Sequence, residues 1–478
     1  MKNVIKKILG VLMAIAFFVS AAGINHVNAV ETGSITINGA TADKNYSIYK
    51  IFDLTYKGAS VSYTIADEWK DFFVNGEGRE FIANENSTGS LNPIVVNGKT
   101  KYINITEGNI AEFAKKAMAQ ISKDGISKTD TKKAAGDVVT FSNIALGYYM
   151  VHPEGATGTA SDANSIVSLT STVPNGEVNV KGVYPTITKE ADKKSADYGE
   201  DINYTINSKV PDTTGFKEYT YKLTDTLSSG LNLKKDSIKV EIGGEDVTNN
   251  ENVSINTSIP QVMEINIKMM KFQDKVGKEV KVTYKACLNE NAVIGNDGND
   301  NTVKLEYSND PKDSSSTDKT TGKENVHTAA IKVIKYEKGK KENLLEGAEF
   351  VLKNSEGKYY KLEDGKVTWV SELDSADKKV TNNKGNVEFK GLKNGNYKLE
   401  ETKAPEGYNK LTDDVDVQID YKDQTTTKYL DVDVENNTGI QLPGTGGMGT
   451  TLFAVIGGSI ILYTAISLIR GKLKSEGR

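Results

Sequence analysis

Residues Ile331–Glu337 read IKVIKYE, and the apolar Ile331 and Val333 lie on either side of the polar Lys332. Alternation with a period of two predicts a β-strand with one face in a core, because successive side chains point to opposite faces. Lys335 shares the face of Ile331 and Val333. A lone lysine is by default a solvated surface residue, yet this one is placed for burial.

The same alternation of apolar and polar residues recurs along the chain of 478 residues. Short runs of Val, Ile, Thr, Tyr and Phe alternate with polar residues, and Asn-Gly pairs that tolerate positive φ are typical of the turns between them. These pairs are Asn38-Gly39, Asn75-Gly76, Asn97-Gly98, Asn175-Gly176 and Asn394-Gly395. Several short strands in each segment of about 110–150 residues predict an all-β fold of tandem immunoglobulin-like sandwiches.

One short helix is predicted in the first third of the chain. Apolar residues recur there at helical spacing, with Asn109 as a candidate N-cap and Glu112 three residues later. The apolar positions are Ile110, Phe113, Ala114, Ala117, Met118 and Ile121. Such a stripe indicates core packing.

The N-terminus has the pattern of an export signal. Three lysines, at positions 2, 6 and 7, precede an apolar run from Ile8 to Ala22, and cleavage is expected after Ala29. A first membrane span is the weaker alternative, because the run is short and ends in small and polar residues. The predicted segments are a signal peptide 1–29, domains 30–181, 182–312 and 326–440, a polar linker 313–325, and a C-terminal signal 441–478.

That C-terminal signal begins with Leu442-Pro443-Gly444-Thr445-Gly446. Residues 451–469 carry no charge. A helix of this length is about long enough to cross a hydrocarbon core of roughly 30 Å. Basic residues follow and favour the cytoplasmic side. They are Arg470, Lys472, Lys474 and Arg478. An ordinary C-terminal anchor with a chance loop before it is the alternative interpretation.

Composition excludes several classes of function. The chain has a net charge of −5 and so lacks the excess of positive charge that is typical of nucleic-acid-binding proteins. The single cysteine, Cys287, allows no intramolecular disulfide and is expected to be a small buried apolar side chain. No zinc, catalytic-triad or phosphate-loop pattern occurs in the sequence, so we expect no metal, no cofactor and no conventional enzyme.

Residues Tyr397–Tyr408 read YKLEETKAPEGY. With the strand that contains Lys335 and the final strand Val432–Asn436, this stretch resembles the E-box (YxLxETxAPxGY) of collagen-adhesin (Cna) B-type domains in sortase-assembled pilins. The resemblance implies an intramolecular isopeptide bond between Lys335 and Asn436, assisted by Glu401. Burial makes this chemistry reasonable, because it lowers a lysine pKa and raises a carboxyl pKa.

The segment 182–312 is similar to the second domain of major pilins, through Tyr221–Leu227 (YKLTDTL) and Leu305–Pro311 (LEYSNDP). The resemblance implies a second crosslink between Lys189 and Asn309, with Asp225 as the acidic residue. Asp225 near a turn is alternatively only a turn residue. The first domain looks like the N-terminal domain of the same pilins, without a recognisable crosslinking triad.

In that family a sortase cuts between Thr and Gly of the sorting motif, here Thr445 and Gly446. It then joins Thr to a lysine that follows Tyr-Pro in the next subunit. This chain has Thr186 after Tyr184-Pro185. Lys181, which directly follows the predicted strand Val178-Asn179-Val180, is therefore the predicted acceptor. An unremarkable strand-end lysine is the alternative interpretation of Lys181.

The resemblance implies a secreted shaft subunit of a Gram-positive pilus, stabilised by Lys–Asn bonds and supporting adhesion on the cell surface. Its expected partners are pilin-specific and housekeeping sortases, further copies of itself, peptidoglycan, tip and basal pilins, and a host surface ligand. Two alternatives stay open: a monomeric wall-anchored adhesin that binds host matrix, and a minor tip or basal pilin. A secreted enzyme is a distant third.

Overall fold

The protein is described from a computed structural model, which describes residues 32–83, 93–96, 98–156, 164–180, 183–420, 429–439 and 449–475. Strands dominate these ranges and form three β-sandwiches in tandem, which confirms the predicted all-β class. We call them the first domain (32–180), the middle domain (183–326) and the third domain (329–439).

The first domain is a two-sheet sandwich. Its strands are β1 Thr32–Asn38, β2 Asn45–Lys57, β3 Ser60–Ile65, β4 Ile82–Ala83, β5 Pro93–Val96, β6 Lys99–Ile103, β7 Asp130–Lys133, β8 Val138–Ala145, β9 Gly147–Pro153, β10 Ser165–Leu169 and β11 Asn175–Asn179. One sheet has the order β11-β1-β8, and the other has the order β10-β9-β2-β3 with β7 paired to β2. Ile35, Ile48 and Phe141 belong to the core between them.

A helical segment is inserted between β3 and β7. It contains α1 Lys70–Val74, α2 Ile110–Asp124 and a small sheet of order β4-β6-β5. Helix α2 confirms the predicted helix, whereas α1 was not predicted. Asn109 takes the predicted N-cap position, but its side chain makes no capping hydrogen bond. It accepts from the Thr106 backbone N–H (2.7 Å) and donates to the Asn104 carbonyl (2.7 Å) instead.

The middle domain contains two five-stranded sheets. Its strands are β12 Thr188–Ala191, β13 Asp201–Lys209, β14 Tyr221–Leu227, β15 Leu231–Ile242, β16 Glu245–Asp246, β17 Val253–Asn256, β18 Val262–Ile267, β19 Glu279–Leu288, β20 Asn299–Ser308 and β21 Thr317–Val326. The sheet orders are β12-β13-β19-β15-β16 and β17-β18-β14-β20-β21.

Strand β21 corrects the predicted linker. Residues 317–325 lie in this strand, which pairs antiparallel with β20 in an unbroken register from Ser308↔Thr317 to Asn299↔Val326. The stretch is an edge strand with mostly exposed or half-buried side chains, so it needs no apolar residue before Val326. Backbone pairing decides its structure, and composition carries no signal for that pairing.

The third domain places its first and last strands side by side. Its strands are β22 Ala329–Glu337, β23 Lys340–Leu344, β24 Glu349–Asn354, β25 Tyr359–Glu363, β26 Lys366–Val370, β27 Lys379–Val380, β28 Asn386–Leu392, β29 Gly395–Lys403, β30 Val415–Ile419 and β31 Leu430–Asn436. β31 runs parallel to β22, which also pairs with β23 and β28. The opposite sheet has the order β26-β25-β24-β29-β30, with β27 paired to β24.

Two further predictions concern Cys287 and the C-terminal helix. Cys287 on β19 is only partly buried, because its neighbours Ala286 and Leu288 occupy the core face of the strand. At the C-terminus, Gly449–Ser475 form helix α3. Within the residues that the structure describes, no helix is long and apolar enough to cross a membrane, and part of the span predicted at 451–469 lies outside the described side chains.

Candidate functional site

Three buried polar side chains meet inside the third domain. Lys335 lies on β22, Asn436 on β31 and Glu401 on β29 of the opposite sheet, and each is at most 2% exposed. Lys335 Nζ donates a hydrogen bond to Asn436 Oδ1 and lies 3.2 Å from Glu401 Oε1. The structure therefore brings together the three residues that the resemblance predicted.

The amide of Asn436 is held in one orientation. Its Nδ2 donates to Glu401 Oε1 (2.9 Å), to Glu401 Oε2 (3.1 Å) and to the Asn409 carbonyl (2.9 Å). The Leu411 backbone N–H donates to Glu401 Oε2 (2.7 Å) and fixes the carboxyl in turn. The carbonyl of Asn436 thus faces the lysine, and its amide nitrogen faces the carboxyl group.

Burial prepares Lys335 for nucleophilic attack. Desolvation lowers the pKa of Lys335 below its ordinary value, and the charge of Glu401 only partly opposes this shift. The ring of Phe350 lies beneath the amine, with Nζ 5.6 Å from its centroid. A lysine that loses its proton easily, an amide carbonyl in contact with it and a carboxyl on the leaving nitrogen are the parts of an acyl transfer.

A second buried cluster lies in the middle domain. Lys189 on β12 donates to Asp225 Oδ1 on β14, and both side chains are nearly inaccessible to solvent. The hydroxyl of Tyr284 on β19 accepts from Lys189 Nζ (2.7 Å) and donates to Asp225 Oδ2 (2.5 Å). The alternative interpretation of Asp225 as a turn residue is wrong, because it lies in the interior of a strand and on its core face.

Desolvation dominates the electrostatics of this cluster. It lowers the pKa of Lys189 to about 8, against the opposing charge of Asp225. It also raises the pKa of Asp225, although hydrogen bonds from Lys189 and Tyr284 reduce the shift. A proton therefore passes from the amine to the carboxyl group far more easily here than in water.

Asn309 does not belong to this cluster. Strand β20 ends at Ser308, and the Asn309 side chain accepts from Ser316 Oγ (2.7 Å) in the loop beyond it. Asn301 occupies the site instead. It is fully buried, and its Nδ2 donates to the Tyr284 hydroxyl (2.7 Å).

Strand register explains this correction. Asn301 and Asn309 have the same parity along the strand, so alternation alone does not distinguish them. Asp225 lies opposite Val303, so Asn301 is two positions from that pair and Asn309 is six positions from it. Alternation along the strand was a usable signal that Asn301 is buried. The choice between Asn301 and Asn309 depends on strand register, which is a tertiary property.

The residues predicted for polymerisation lie outside the described residues. They are Lys181, Leu442, Pro443, Thr445 and Gly446. The signal peptide 1–29 also lies outside them. Their roles stay predictions.

Comparisons with known proteins agree with this architecture. Residues 329–435 match the SpaA family, described as a prealbumin-like fold domain. Residues 198–311 match the family of Gram-positive pilin backbone subunit 2, a Cna-B-like domain.

A curated relative and two solved structures extend the likeness. The trypsin-resistant surface T6 protein of Streptococcus pyogenes serotype M6 is 26% identical over 276 residues, which are 52% of this chain and 48% of that protein. The chain thus spans about half the length of this curated relative. The T6 backbone pilin of serotype M6 S. pyogenes aligns with a TM-score of 0.53 at 19% identity, over 82% of this chain and 81% of that one. The Corynebacterium diphtheriae major pilin SpaA aligns with a TM-score of 0.51 at 16% identity, over 85% and 100%. At these identities, the two structures show a shared fold.

Proposed function

These findings support a Gram-positive backbone pilin, and from that premise we propose that the chain is the shaft subunit of a covalent cell-surface pilus. Two internal Lys–Asn isopeptide bonds stabilise it, Lys335–Asn436 and Lys189–Asn301. The observation that carries the proposal is the buried contact among Lys335, Asn436 and Glu401.

The chemistry in the third domain balances without any cofactor. Lys335 gives a proton to Glu401, and the neutral Nζ attacks Cγ of Asn436. Glu401 passes the proton to Nδ2, the Cγ–Nδ2 bond breaks and ammonia leaves. The new amide nitrogen returns its extra proton to Glu401, which ends protonated. Each molecule reacts once, so the chain is a substrate of its own chemistry and does not turn over as an enzyme.

The position of this bond suits a fibre under tension. Lys335 and Asn436 are separated by 101 positions and lie on neighbouring first and last strands. A crosslink that closes a loop of this size stabilises by about 4–5 kcal/mol in the chain-entropy model used for disulfides. Force that enters at one end of the domain passes through the bond to the other end and bypasses the remaining strands.

Polymerisation completes the proposal. A sortase cuts between Thr445 and Gly446, and Thr445 is joined to Lys181 of the next subunit. The last link reaches peptidoglycan, and tip and basal pilins and a host surface ligand complete the assembly. The SpaA and T6 neighbours are themselves pilins, and this supports self-assembly here.

Mass spectrometry tests the internal bonds. Each bond releases one ammonia, about 17 Da, from the attacked amide. We expect the purified chain to lose two such masses and to yield crosslinked peptides that contain Lys335 with Asn436 and Lys189 with Asn301. Lys335→Ala should remove one loss, whereas Lys332→Ala, on the opposite face of the same strand, should remove none. A wild-type mass equal to that of the sequence refutes the bonds.

Two asparagine variants test the corrected site. Asn301→Ala should remove the crosslink in the middle domain, and Asn309→Ala should retain it. The reverse result would return the assignment to Asn309.

A denaturing gel of cell-wall extract tests polymerisation. We expect a ladder of covalent multimers that disappears in Thr445→Ala and in Lys181→Ala. The control is Lys209→Ala, which removes an exposed strand-end lysine of the middle domain. A wild-type extract with a single band would favour the monomeric adhesin, and a ladder that survives in Lys181→Ala would remove that lysine from the junction.

A further inference from the structure

We propose that the hydroxyl group of Tyr284 relays the proton from Asp225 to the leaving nitrogen of Asn301 when the middle-domain crosslink forms. The inference rests on the proposed Lys189–Asn301 bond and adds a catalytic residue to it. Tyr284 contacts both reacting groups, because its hydroxyl lies 2.7 Å from Lys189 Nζ and 2.7 Å from Asn301 Nδ2. It lies 2.5 Å from Asp225 Oδ2.

The relay replaces a contact that the third domain makes directly. There, both oxygens of Glu401 accept hydrogen bonds from Asn436 Nδ2, at 2.9 and 3.1 Å. Among the hydrogen bonds of the described residues, none joins Asp225 to Asn301. The aspartate side chain is one methylene shorter than glutamate, and the tyrosine hydroxyl occupies the intervening position.

The tyrosine is held rigidly and keeps its proton. Its ring stacks on Tyr204, with centroids 5.3 Å apart and planes inclined by 14°. Lys189 Nζ lies 5.3 Å from the centroid of each ring. Burial, together with the charge and hydrogen bond of Asp225, raises the pKa of Tyr284 well above its ordinary value. The hydroxyl therefore transfers a proton only by accepting another at the same time.

The atoms balance through four steps. Lys189 gives one proton to Asp225, and its neutral Nζ bonds to Cγ of Asn301. Asp225 then gives that proton to the Tyr284 oxygen while the hydroxyl proton moves to Nδ2, and the Cγ–Nδ2 bond breaks to release ammonia. The new amide nitrogen loses its extra proton to Asp225, which ends protonated. Tyr284 ends unchanged.

The experiment follows both crosslinks in the same full-length chain. Wild type and Tyr284→Phe are made by cell-free synthesis and sampled over time, and crosslinked peptides are quantified by mass spectrometry. Phenylalanine keeps the stacked ring and removes only the hydroxyl. We expect the Lys189–Asn301 bond to form about 10²-fold more slowly, within the usual contribution of acid–base catalysis, and the Lys335–Asn436 bond to form at the wild-type rate.

The matched control is Tyr221→Phe, which removes a buried hydroxyl that donates to Ser208 Oγ (2.7 Å) in the same domain. Slower formation of the Lys189–Asn301 bond in Tyr284→Phe alone supports the relay. The difference in rate from wild type should lessen as the pH is lowered, because solvent then protonates the leaving nitrogen. Equal rates in wild type and Tyr284→Phe overturn it, and so does an equal slowing in both variants, which indicates a general packing effect. Failure of the wild type to form a Lys189–Asn301 bond refutes the proposed crosslink itself and is distinguishable from failure of the relay.

Discussion

The middle and third domains contain the same three kinds of reacting group in different strand arrangements. In the third domain, Lys335 and Asn436 lie on neighbouring parallel strands of one sheet, and Glu401 reaches them from the opposite sheet. In the middle domain, Asp225 and Asn301 lie on neighbouring strands of one sheet, and Lys189 comes from the other. One bond would join strands within a sheet, and the other would join two sheets.

The two arrangements also hold the amide differently. Asn436 donates to both carboxyl oxygens and to a backbone carbonyl. Asn301 donates to Tyr284, and its Oδ1 is buried without a hydrogen-bond partner among the described residues. Both sites thus have a buried lysine and a buried amide, and in the proposed chemistry the route of the proton differs with the length of the acidic side chain.

The largest expected effect comes from removing the bond in the third domain. Lys335→Ala deletes the crosslink that closes a loop of 101 positions, so the free energy of unfolding should fall by about 4–5 kcal/mol. Guanidinium unfolding followed by Trp369 fluorescence, in a Trp69→Phe background, measures this loss. Lys332→Ala should change it little, and equal losses in the two variants would contradict a crosslink.

The second effect tests whether direct contact matters in the third domain. Glu401→Asp shortens the side chain by one methylene, and no tyrosine is hydrogen-bonded to Asn436 in the described structure to bridge the gap. The Lys335–Asn436 bond should form about 10²-fold more slowly, which is measured by the time course of crosslinked peptide. The control Glu400→Asp alters the neighbouring residue, which points away from the core. An unchanged rate in Glu401→Asp would show that the carboxyl position is not critical.

The third effect is a pH dependence in the middle domain. Asn301→Ala keeps Lys189 as a free amine whose pKa is lowered to about 8 from 10.5 by burial. The unfolded chain then binds more protons between these values, so stability should rise as the pH increases from about 8 to 10.5. Urea midpoints across this range measure the trend. The crosslinked wild type has no such amine and should lack this rise, so the same rise in both proteins would argue against the bond.

The smallest effect concerns a partly buried contact between the first and middle domains. Lys128 Nζ lies 2.7 Å from Glu154 Oε1 and 2.6 Å from Asp310 Oδ2. Burial opposes its charge, but hydrogen bonds to Asp310 and Glu154 outweigh burial and raise the pKa of Lys128. This amine stays protonated, so it forms an ion pair and is a poor nucleophile.

Lys128→Gln should therefore leave the number of ammonia losses unchanged and lower stability by only about 0.5–1 kcal/mol, a typical value for partly exposed pairs. Trp69 fluorescence in a Trp369→Phe background follows unfolding of the first domain. High salt should weaken this contact in the wild type and so also lower its stability. An ammonia loss that depends on Lys128 would reveal a third crosslink.

The limits of sequence-based prediction are visible at particular residues. Parity correctly placed Lys335 on a buried face, and the E-box motif identified Glu401 as its neighbour. Parity leaves Asn301 and Asn309 equivalent, and the structure places Asn301, not the predicted Asn309, in the cluster. Tyr284 was not predicted, because a tyrosine in a strand is usually a core residue. The sequence does not show that its hydroxyl group contacts three polar side chains. The polar composition of residues 313–325 predicts a linker, because the backbone pairing of β21 with β20 is not visible in composition.

Local sequence patterns are enough to predict the all-β class, the helix that contains residues 110–121, and the burial of Lys335 on the face of Ile331 and Val333. These properties follow from local periodicity, which each segment carries within a few residues. Tertiary contacts determine that Asn301 belongs to the cluster of Lys189, that the Tyr284 hydroxyl lies between Asp225 and Asn301, and that residues 317–326 form an edge strand. The register between strands that are far apart in the chain determines these contacts. The energy that fixes this register is shared among many backbone groups, so no single segment of sequence reveals it.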